Sequence, residues 1–387
     1  MHWHSKLVQP EQLAPRGFKS LATPVHRGST VLFECQADVR DSWDQFDGHY
    51  TYGVYGTPTA LELGARIASL EGALHSFVVP GGQAAIALIY LALCSAGSHV
   101  LVPHSAYGPN REMAAGLLKR LDIDVQPYEP LVGAGIDRLL RPNTAFVWTE
   151  SPGSVTMEVQ DVPAICRAAH AAGVPVALDN TYAAGVLFDA FAHGVDISMQ
   201  ALTKYVGGHS DLLLGTVSVR QQSHKDVIGD TFRQLGMAAS PDDCSLALRG
   251  MQTLGVRLAH VETSALAVAR WLSDQPVIAC VFHPAMPSCP GHETWQRDFK
   301  GSAGVFSILF KETVAPAQVE AFVDGLQLFR IGFSWAGTTS LALAYSDLDR
   351  PNGERYRGRL VRLTIGLEAT ADLVADLGQA LARAPAP

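Results

Sequence analysis

The sequence predicts an α/β fold with a largely parallel sheet, followed by a smaller α+β domain. Between about Pro58 and Arg220, helical stretches alternate with short apolar runs that stop at polar residues. This alternation is typical of a parallel sheet with helices on its faces. After about Gly250 it gives way to a long helical stretch, an irregular Pro-rich stretch and separate apolar runs, which indicates a second, smaller unit.

Length and composition are those of a folded globular protein. Because an average domain has roughly 150 residues, two or three domains are expected in a chain of 387 residues. Hydrophobic residues make up 48% and charged residues 17%, which argues against disorder. The 29 basic and 37 acidic side chains give a formal charge of −8 without any Lys/Arg cluster, so nucleic acid is not an expected partner.

No segment has the features of export, membrane insertion or metal binding. Residues 1–19 lack the apolar stretch of a secretory signal. The most apolar segment, residues 84–96, is shorter than the roughly 20 residues that cross a bilayer, and it predicts a buried helix. The six cysteines are scattered without a CxxC pair, so we expect buried or idle thiols in a reducing cytoplasm and no metal site.

The pattern also predicts where the elements lie. The apolar runs of the first domain predict strands at 98–102, 144–148, 174–178 and 196–202, and a helix is expected at 162–172, with Gly173 as its end signal. The second domain is expected to hold a helix at 251–272, irregular chain at 281–291, apolar runs at 304–310 and 360–365, and a helix at 371–384. We therefore divide the chain into an N-terminal arm that docks on a neighbouring subunit (1–56), a first domain (57–250) and a C-terminal domain (251–387).

Polar residues follow the predicted strands, at the edge where open α/β sheets bind ligands. Asp179 ends one strand, and it is either a turn residue or a carboxylate that needs a cation, because a buried unpaired charge is costly. Lys204 follows Thr203 after another strand, and it is either a surface residue or a half-buried amine with a lowered pKa, as Schiff-base chemistry requires. The turn PGGQAAI (80–86) is either a plain turn or a set of free amides that binds an anion.

Together these three features meet the needs of pyridoxal 5′-phosphate (PLP): amides for the phosphate, a carboxylate for the ring nitrogen and a lysine for the aldehyde. Longer motifs then carry a resemblance over nearly the whole chain. These motifs are YGVYGTPT (52–59), AYGP (106–109), ESPGSVTME (150–158), LDNTYAAGVLF (178–188), ALTKY (201–205), GHSD (208–211), SWAG (334–337) and RLTIGLE (362–368). The sequence resembles the cystathionine β-lyase branch of the Cys/Met-metabolism family of PLP enzymes.

The resemblance implies the aspartate-aminotransferase fold, fold type I, with a mainly parallel seven-stranded sheet. It also implies a homotetramer, a dimer of active dimers, that cleaves L-cystathionine to homocysteine, pyruvate and ammonia in methionine biosynthesis. Matching positions give the expected cofactor contacts: the Schiff base on Lys204, Asp179 at the ring nitrogen, Tyr107 stacked on the ring, the amides of Gly82 and Gln83 at the phosphate, and the Thr203 hydroxyl.

On the substrate side, the resemblance implies that Arg362 binds the α-carboxylate, in a pocket that Ser334 and Trp335 complete. Tyr52 matches a tyrosine that the neighbouring subunit contributes to the site. The expected catalytic groups are Lys204, Tyr107 and Tyr52. The chain departs from the family pattern at Val54, where many members have a phosphate-binding arginine, and at Ala201, where many have serine.

Two rival functions stay open at this point. A γ-acting member of the family, such as methionine γ-lyase or cystathionine γ-synthase, would share the same cofactor contacts. A PLP-binding regulatory protein would share the fold without needing the catalytic set. The motif at 153–157 and the pair Ser334–Trp335 favour the β-lyase branch, and the retained Lys204, Asp179, Tyr52, Tyr107 and Arg362 argue against a regulator.

Overall fold

The structure is a computed structural model of the chain, and it describes residues 2–8, 20–46, 49–348, 350–351 and 353–383. The predicted N-terminal arm is thus only partly described, because residues 1, 9–19 and 47–48 lie outside this set. Ala384, the predicted end of the last helix, also lies outside the described residues. None of the described helices is both long and apolar enough to cross a membrane.

A seven-stranded sheet forms the first layer of the fold. Its strands are β1 (His75–Val79), β2 (His99–Pro103), β3 (Asp124–Tyr128), β4 (Thr144–Glu150), β5 (Val176–Asp179), β6 (Ile197–Gln200) and β7 (Gly215–Val219). They lie in the order β1-β7-β6-β5-β4-β2-β3. Strands β2 to β6 pair in parallel, whereas β7 pairs antiparallel with both β6 and β1. The predicted mainly parallel seven-stranded sheet is confirmed.

Helices surround this sheet. They are α1 (Trp3–Val8), α2 (Pro58–Glu71), α3 (Gly82–Leu93), α4 (Gly108–Met113), α5 (Val162–Ala171), α6 (Gln222–Leu235) and α7 (Pro241–Ser273). Strands β5 and β6 are buried along their whole length, which explains why they are continuous apolar runs rather than alternating ones. The apolar segment at 84–96 lies mostly in α3, as predicted for a buried helix.

The second unit is a five-stranded sheet with helices. Its strands are β8 (Ile278–Phe282), β9 (Val305–Phe310), β10 (Arg330–Ile331), β11 (Leu341–Tyr345) and β12 (Leu360–Thr364), in the order β10-β11-β12-β9-β8. Its helices are α8 (His292–Asp298), α9 (Pro316–Asp324) and α10 (Thr370–Arg383). Helix α7 runs without a break through residue 250, where we divided the chain, so it belongs to both units.

Two predicted bounds are wrong. The strand predicted at 196–202 ends at Gln200, so Lys204 lies in a turn four residues beyond it rather than directly after the strand. The turn closes with a hydrogen bond from the Lys204 amide to the Ala201 carbonyl (3.0 Å). The long helix starts at Pro241, ten residues before its predicted start, because Ser240 caps it and Pro241 is a favoured first residue.

Gly250 shows how closely α7 packs on the turn that carries Lys204. A Cβ atom at this position would lie 2.3 Å from the Val206 carbonyl oxygen and 2.4 Å from that of Gly207. We expect Gly250→Ala to lower the free energy of unfolding by about 1–3 kcal/mol, because the backbone of the turn would have to move. Gly116→Ala, where no atom lies within 4 Å of the added Cβ, is the matched control and should be near neutral. Denaturant unfolding of both variants checks this, and equal stabilities would contradict it.

Candidate active site

A cavity of about 360 Å³ lies beyond the carboxyl ends of the parallel strands, where the strand order places a ligand. Its walls come from the loops after β1, β2, β4, β5 and β6 and from the second sheet. The predicted site residues that line it are Gly82, Gln83, Tyr107, Asp179, Thr203, Lys204, Trp335 and Arg362. The fold therefore brings together residues from both units around one space.

Asp179 is the last residue of β5, and it is 9% exposed. One of its carboxylate oxygens accepts hydrogen bonds from the Thr181 amide (3.0 Å) and the Thr181 hydroxyl (2.5 Å). Burial raises the pKa of Asp179, and the Thr181 donors and the nearby Lys204 cation oppose that effect. Among the described residues, no donor binds the other oxygen, so a cation in the cavity could pair with it.

Lys204 has the properties of a reactive amine. Burial and the positive charge of Arg362 lower the pKa of Lys204 to about 8, and Asp179 opposes this shift. A fraction of the amine is therefore uncharged near neutral pH, as a nucleophilic lysine requires. Lys204 is half buried, and this placement favours the reactive amine over the surface residue; its position in a turn differs from the predicted strand end.

Two residues of the second unit contact the Lys204 amine, and a third, Arg362, binds the backbone of one of them. The Lys204 ammonium donates to the Ser334 hydroxyl (2.5 Å) and lies 5.4 Å from the centre of the Trp335 ring. Arg362 on β12 donates to the Ser334 carbonyl (3.1 Å). Ser334 has a φ of +76°, which is uncommon for a residue other than glycine. This backbone shape, together with the arginine, orients the hydroxyl toward the lysine.

The predicted anion site is the start of α3. The amides of the first turn of a helix have no partner within the helix, so the amides of Gly82 and Gln83 are available to a ligand. A Cβ atom at position 82 would lie 2.8 Å from that of Ala201, so only glycine fits there. The Gln83 side chain donates to the Pro109 carbonyl (3.1 Å), which joins this turn to α4. The arrangement suits a phosphate group.

Tyr107 precedes α4 at the mouth of the cavity and is 43% exposed. Its amide donates to the carboxylate of Glu150 (2.7 Å), the last residue of β4. The β4–β5 register pairs Glu150 with Asp179, and burial together with the Asp179 charge raises the pKa of Glu150 well above its usual range. Glu150 thus fixes the backbone from which the tyrosine ring extends.

Three predicted site residues are placed differently from the rest, and one of them, Ser334, binds Lys204 and Arg362 without being part of the cavity wall. The Thr203 hydroxyl lines the cavity, but it is hydrogen bonded to the backbone of Leu214 through both its carbonyl and its amide (3.1 Å each). Tyr52 is 48% exposed and is not part of the cavity wall of its own chain. It lies next to Tyr55 at a ring distance of 6.4 Å. Its contact with a neighbouring subunit stays a prediction.

Sequence reasoning named the segments of Thr181 and Glu150 but assigned neither residue a role. Thr181 binds Asp179 and also accepts a hydrogen bond from the Ala201 amide (2.9 Å), so it connects the carboxylate to the lysine turn. The available signal was position: each lies at the carboxyl end of a strand, Glu150 as the last residue of β4 and Thr181 two residues after β5 ends. The hydrogen bonds themselves follow only from the fold.

The residues of the cavity fit PLP in their chemical types. Free amides at a helix start suit the phosphate, an unpaired carboxylate oxygen suits the ring nitrogen, and an amine with a lowered pKa suits the aldehyde. An aromatic side chain, Tyr107, lies at the same cavity. The fold and this set of side chains together define a PLP-binding protein of the α/β class.

Comparison with known proteins gives the family. The sequence model of the family described as Cys/Met metabolism PLP-dependent enzyme matches residues 4–382. Cystathionine beta-lyase MetC of Escherichia coli (strain K12) is 40% identical over 368 residues, which cover 93% of this chain and 93% of that protein. Cystathionine beta-lyase of Bordetella avium is 39% identical over 388 residues, covering 98% and 97%. This chain belongs to the Cys/Met-metabolism family of PLP-dependent enzymes, and its cofactor is PLP.

A solved structure agrees on the fold. The crystal structure of metB from Corynebacterium glutamicum superposes with a TM-score of 0.90, covering 99% of this chain and 98% of that chain. Because the two sequences are only 24% identical, this likeness shows the fold and not the reaction.

The positive charge of Arg362 should influence the pH at which the Lys204 amine loses its proton. Since Arg362 lowers the pKa of Lys204, we expect Arg362→Met to raise it and to slow labelling of the Lys204 amine at pH 8 several-fold. The measurement is the pH dependence of acylation in the cofactor-free protein, followed by peptide mapping. Arg330→Met, which removes an exposed arginine of the same sheet, is the control. An unchanged labelling midpoint in Arg362→Met would contradict the assignment.

Proposed function

We propose that this enzyme is a carbon–sulfur β-lyase that cleaves L-cystathionine to homocysteine, pyruvate and ammonia. The observation that carries the proposal is the joint placement of Lys204, Asp179 and Arg362 around one cavity. A base, a carboxylate for the cofactor and a cation for the substrate carboxylate are the groups that amino-acid elimination needs. The two relatives described above, both named cystathionine beta-lyase, support the choice of substrate.

Each end of the cavity has a distinct task in holding the cofactor. The amides of Gly82 and Gln83 would hold the phosphate of PLP, and the negative charge of Asp179 would keep the ring nitrogen protonated. Tyr107, which lines the same cavity, would pack against the ring, where an aromatic side chain adds contact area. When bound, PLP supplies an aldehyde for the amino group and an electron-withdrawing ring for the charge left at Cα.

The chain's own groups then move the protons. Arg362 binds the substrate α-carboxylate with its planar fork and so orients the Cα–H bond toward Lys204. The uncharged Lys204 amine removes the Cα proton as general base. Burial, with help from the negative charges of Asp179 and Glu150, raises the pKa of Tyr107, which keeps its phenol protonated. Tyr107 can therefore assist in protonating the leaving thiolate, and Tyr52 of a neighbouring subunit is a second candidate for this step on the basis of the family resemblance alone.

The proposal extends to assembly and location. A homotetramer built from active dimers would let Tyr52 of one subunit complete its neighbour's site, which its absence from the cavity wall of its own chain favours. The dimer contact would also engage the arm that we placed at residues 1–56. We further propose that the protein acts in the cytoplasm, because its six scattered cysteines show no sequence pattern of disulfide or metal pairing.

The product distinguishes this function from its rivals. We expect purified holoenzyme to form pyruvate and homocysteine from L-cystathionine, because the bond that breaks is the one between Cβ and sulfur. A γ-acting enzyme would form 2-oxobutyrate and cysteine instead, and a regulatory protein would form neither keto acid. The measurement is chromatographic identification of the keto acid, with Lys204→Ala as the inactive control. A panel that adds cystine and other cysteine thioethers would then rank the substrates.

Asp179→Asn tests the role of the carboxylate at the ring nitrogen. An amide cannot hold that nitrogen protonated, so we expect kcat to fall on the order of a hundredfold while the fold is kept. Asp226→Asn, which changes an exposed aspartate of α6, is the control. The measurement is steady-state kinetics together with circular dichroism. A rate close to that of the natural enzyme would mean that Asp179 has only a structural role.

A further inference from the structure

One wall of the catalytic cavity is a loop with an unfavourable backbone shape. In residues 153–158, Val155 has a φ of +70° and Met157 a φ of +59°. The left-handed region is uncommon for residues other than glycine, and a β-branched residue such as valine is a genuine outlier there. Such a conformation persists only where surrounding contacts determine it. The conformation of this loop therefore depends on the contacts that its residues make with the rest of the fold.

This wall loop, residues 153–158, borders the space beside Lys204. Gly153, Ser154, Val155 and Met157 all line the cavity. Val155 is 7% exposed and Met157 is 3% exposed, so both apolar side chains are packed rather than turned to solvent. A shift of this loop would change the room for a bound substrate.

The hydrogen bonds within the first domain fix only part of the wall loop. The Gly153 amide donates to the Glu158 carbonyl (2.9 Å), and the Met157 amide donates to the Gly153 carbonyl (3.2 Å). The Ser154 amide donates to the Ser105 carbonyl (2.8 Å). The Thr156 hydroxyl donates to the Glu158 carboxylate (2.6 Å). These bonds join the two ends of the loop and attach Ser154 to Ser105.

The tip of the loop is held from the second unit. Arg350 donates through one guanidinium nitrogen to the Thr156 hydroxyl and through the other to the Ser154 carbonyl (3.1 Å). A planar fork with two donors suits two oxygens fixed two residues apart, and a lysine has no such fork. Burial lowers the pKa of Arg350, whereas the negative charge of Glu158 opposes that shift. The Cys289 thiol donates a weaker hydrogen bond to the Met157 carbonyl (3.2 Å).

We propose that Arg350 is a positioning residue that determines substrate specificity by clamping the wall loop in its strained form. It does not border the cavity, so it acts through Ser154 and Thr156 and not by touching substrate. The proposal rests on the β-lyase function above and deepens it. With the clamp in place, the wall fits one size of sulfur substituent. Without it, the loop relaxes and the preference among thioethers weakens.

The test compares holoenzyme variants with two readouts. Arg350→Met removes the fork, Arg350→Lys keeps the charge without the fork, and Arg357→Met removes an exposed arginine of the same segment as the control. Hydrogen exchange of the peptide covering residues 153–158 reports the loop directly. The ratio of kcat/KM for L-cystathionine to that for S-methyl-L-cysteine reports specificity.

We expect Arg350→Met to speed exchange in the wall loop and to change the kcat/KM ratio by about tenfold, the scale of discrimination that a shaped pocket provides. Arg350→Lys should resemble Arg350→Met, because charge without the fork cannot bind both oxygens, and Arg357→Met should match the natural enzyme. Unchanged exchange or an unchanged ratio in a folded Arg350→Met overturns the proposal.

A milder variant covers the case in which Arg350→Met fails to fold. Thr156→Val removes the hydroxyl that accepts from Arg350 and donates to Glu158, and it should shift exchange and the ratio in the same direction; no shift in either overturns the proposal. Failure of the β-lyase function and failure of the Arg350 proposal give different results. If the natural enzyme makes no pyruvate from any thioether, the proposed function is wrong, and the exchange readout still tests whether Arg350 clamps the loop.

Discussion

A carboxylate buried at the end of a strand needs donors or a cation, and the arrangement of this site follows from that need. Asp179 takes two hydrogen bonds from Thr181 on one oxygen and leaves the other without a donor among the described residues. Its negative charge favours the charged form of Lys204, whereas burial and Arg362 favour the neutral amine. The balance of these effects places the pKa of Lys204 at about 8, within reach of the pH at which such an amine must act.

Hydrogen bonds also connect this carboxylate to the turn that carries the lysine. Thr181 binds Asp179 and also accepts the Ala201 amide at the start of the turn that carries Lys204. From the other side, Ser334 and Arg362 bring the second sheet against the lysine amine. Helix α7 spans both units and packs so closely on the turn that Gly250 has no room for a side chain. The contacts between the two units therefore determine where the Lys204 amine lies.

The elements that are local in sequence were predictable, and those set by packing were not. Strands β4, β5 and β9 and helix α5 were predicted because a buried strand is a continuous apolar run and a helix has its own end signals. Strands β1, β3 and β7 were missed, since their pairing is decided by distant partners such as His75 with Val219. Lys204 was assigned to the end of a strand, because residues 201 and 202 are apolar although they lie in a turn.

By itself, the sequence determined the fold class, the family and the cofactor, and it predicted the roles of the lysine, the aspartate and the glycine turn. Residue types at strand ends and long motifs carry that information, because parallel strands place their carboxyl ends at one edge. Only the tertiary structure decided which groups surround Lys204 and lower its pKa. It also decided that Glu150 accepts the Tyr107 amide and that Arg350 binds the wall loop. Burial and these hydrogen bonds depend on residues that lie as much as 196 positions apart in the chain, as Arg350 and Ser154 do, and no local pattern specifies them.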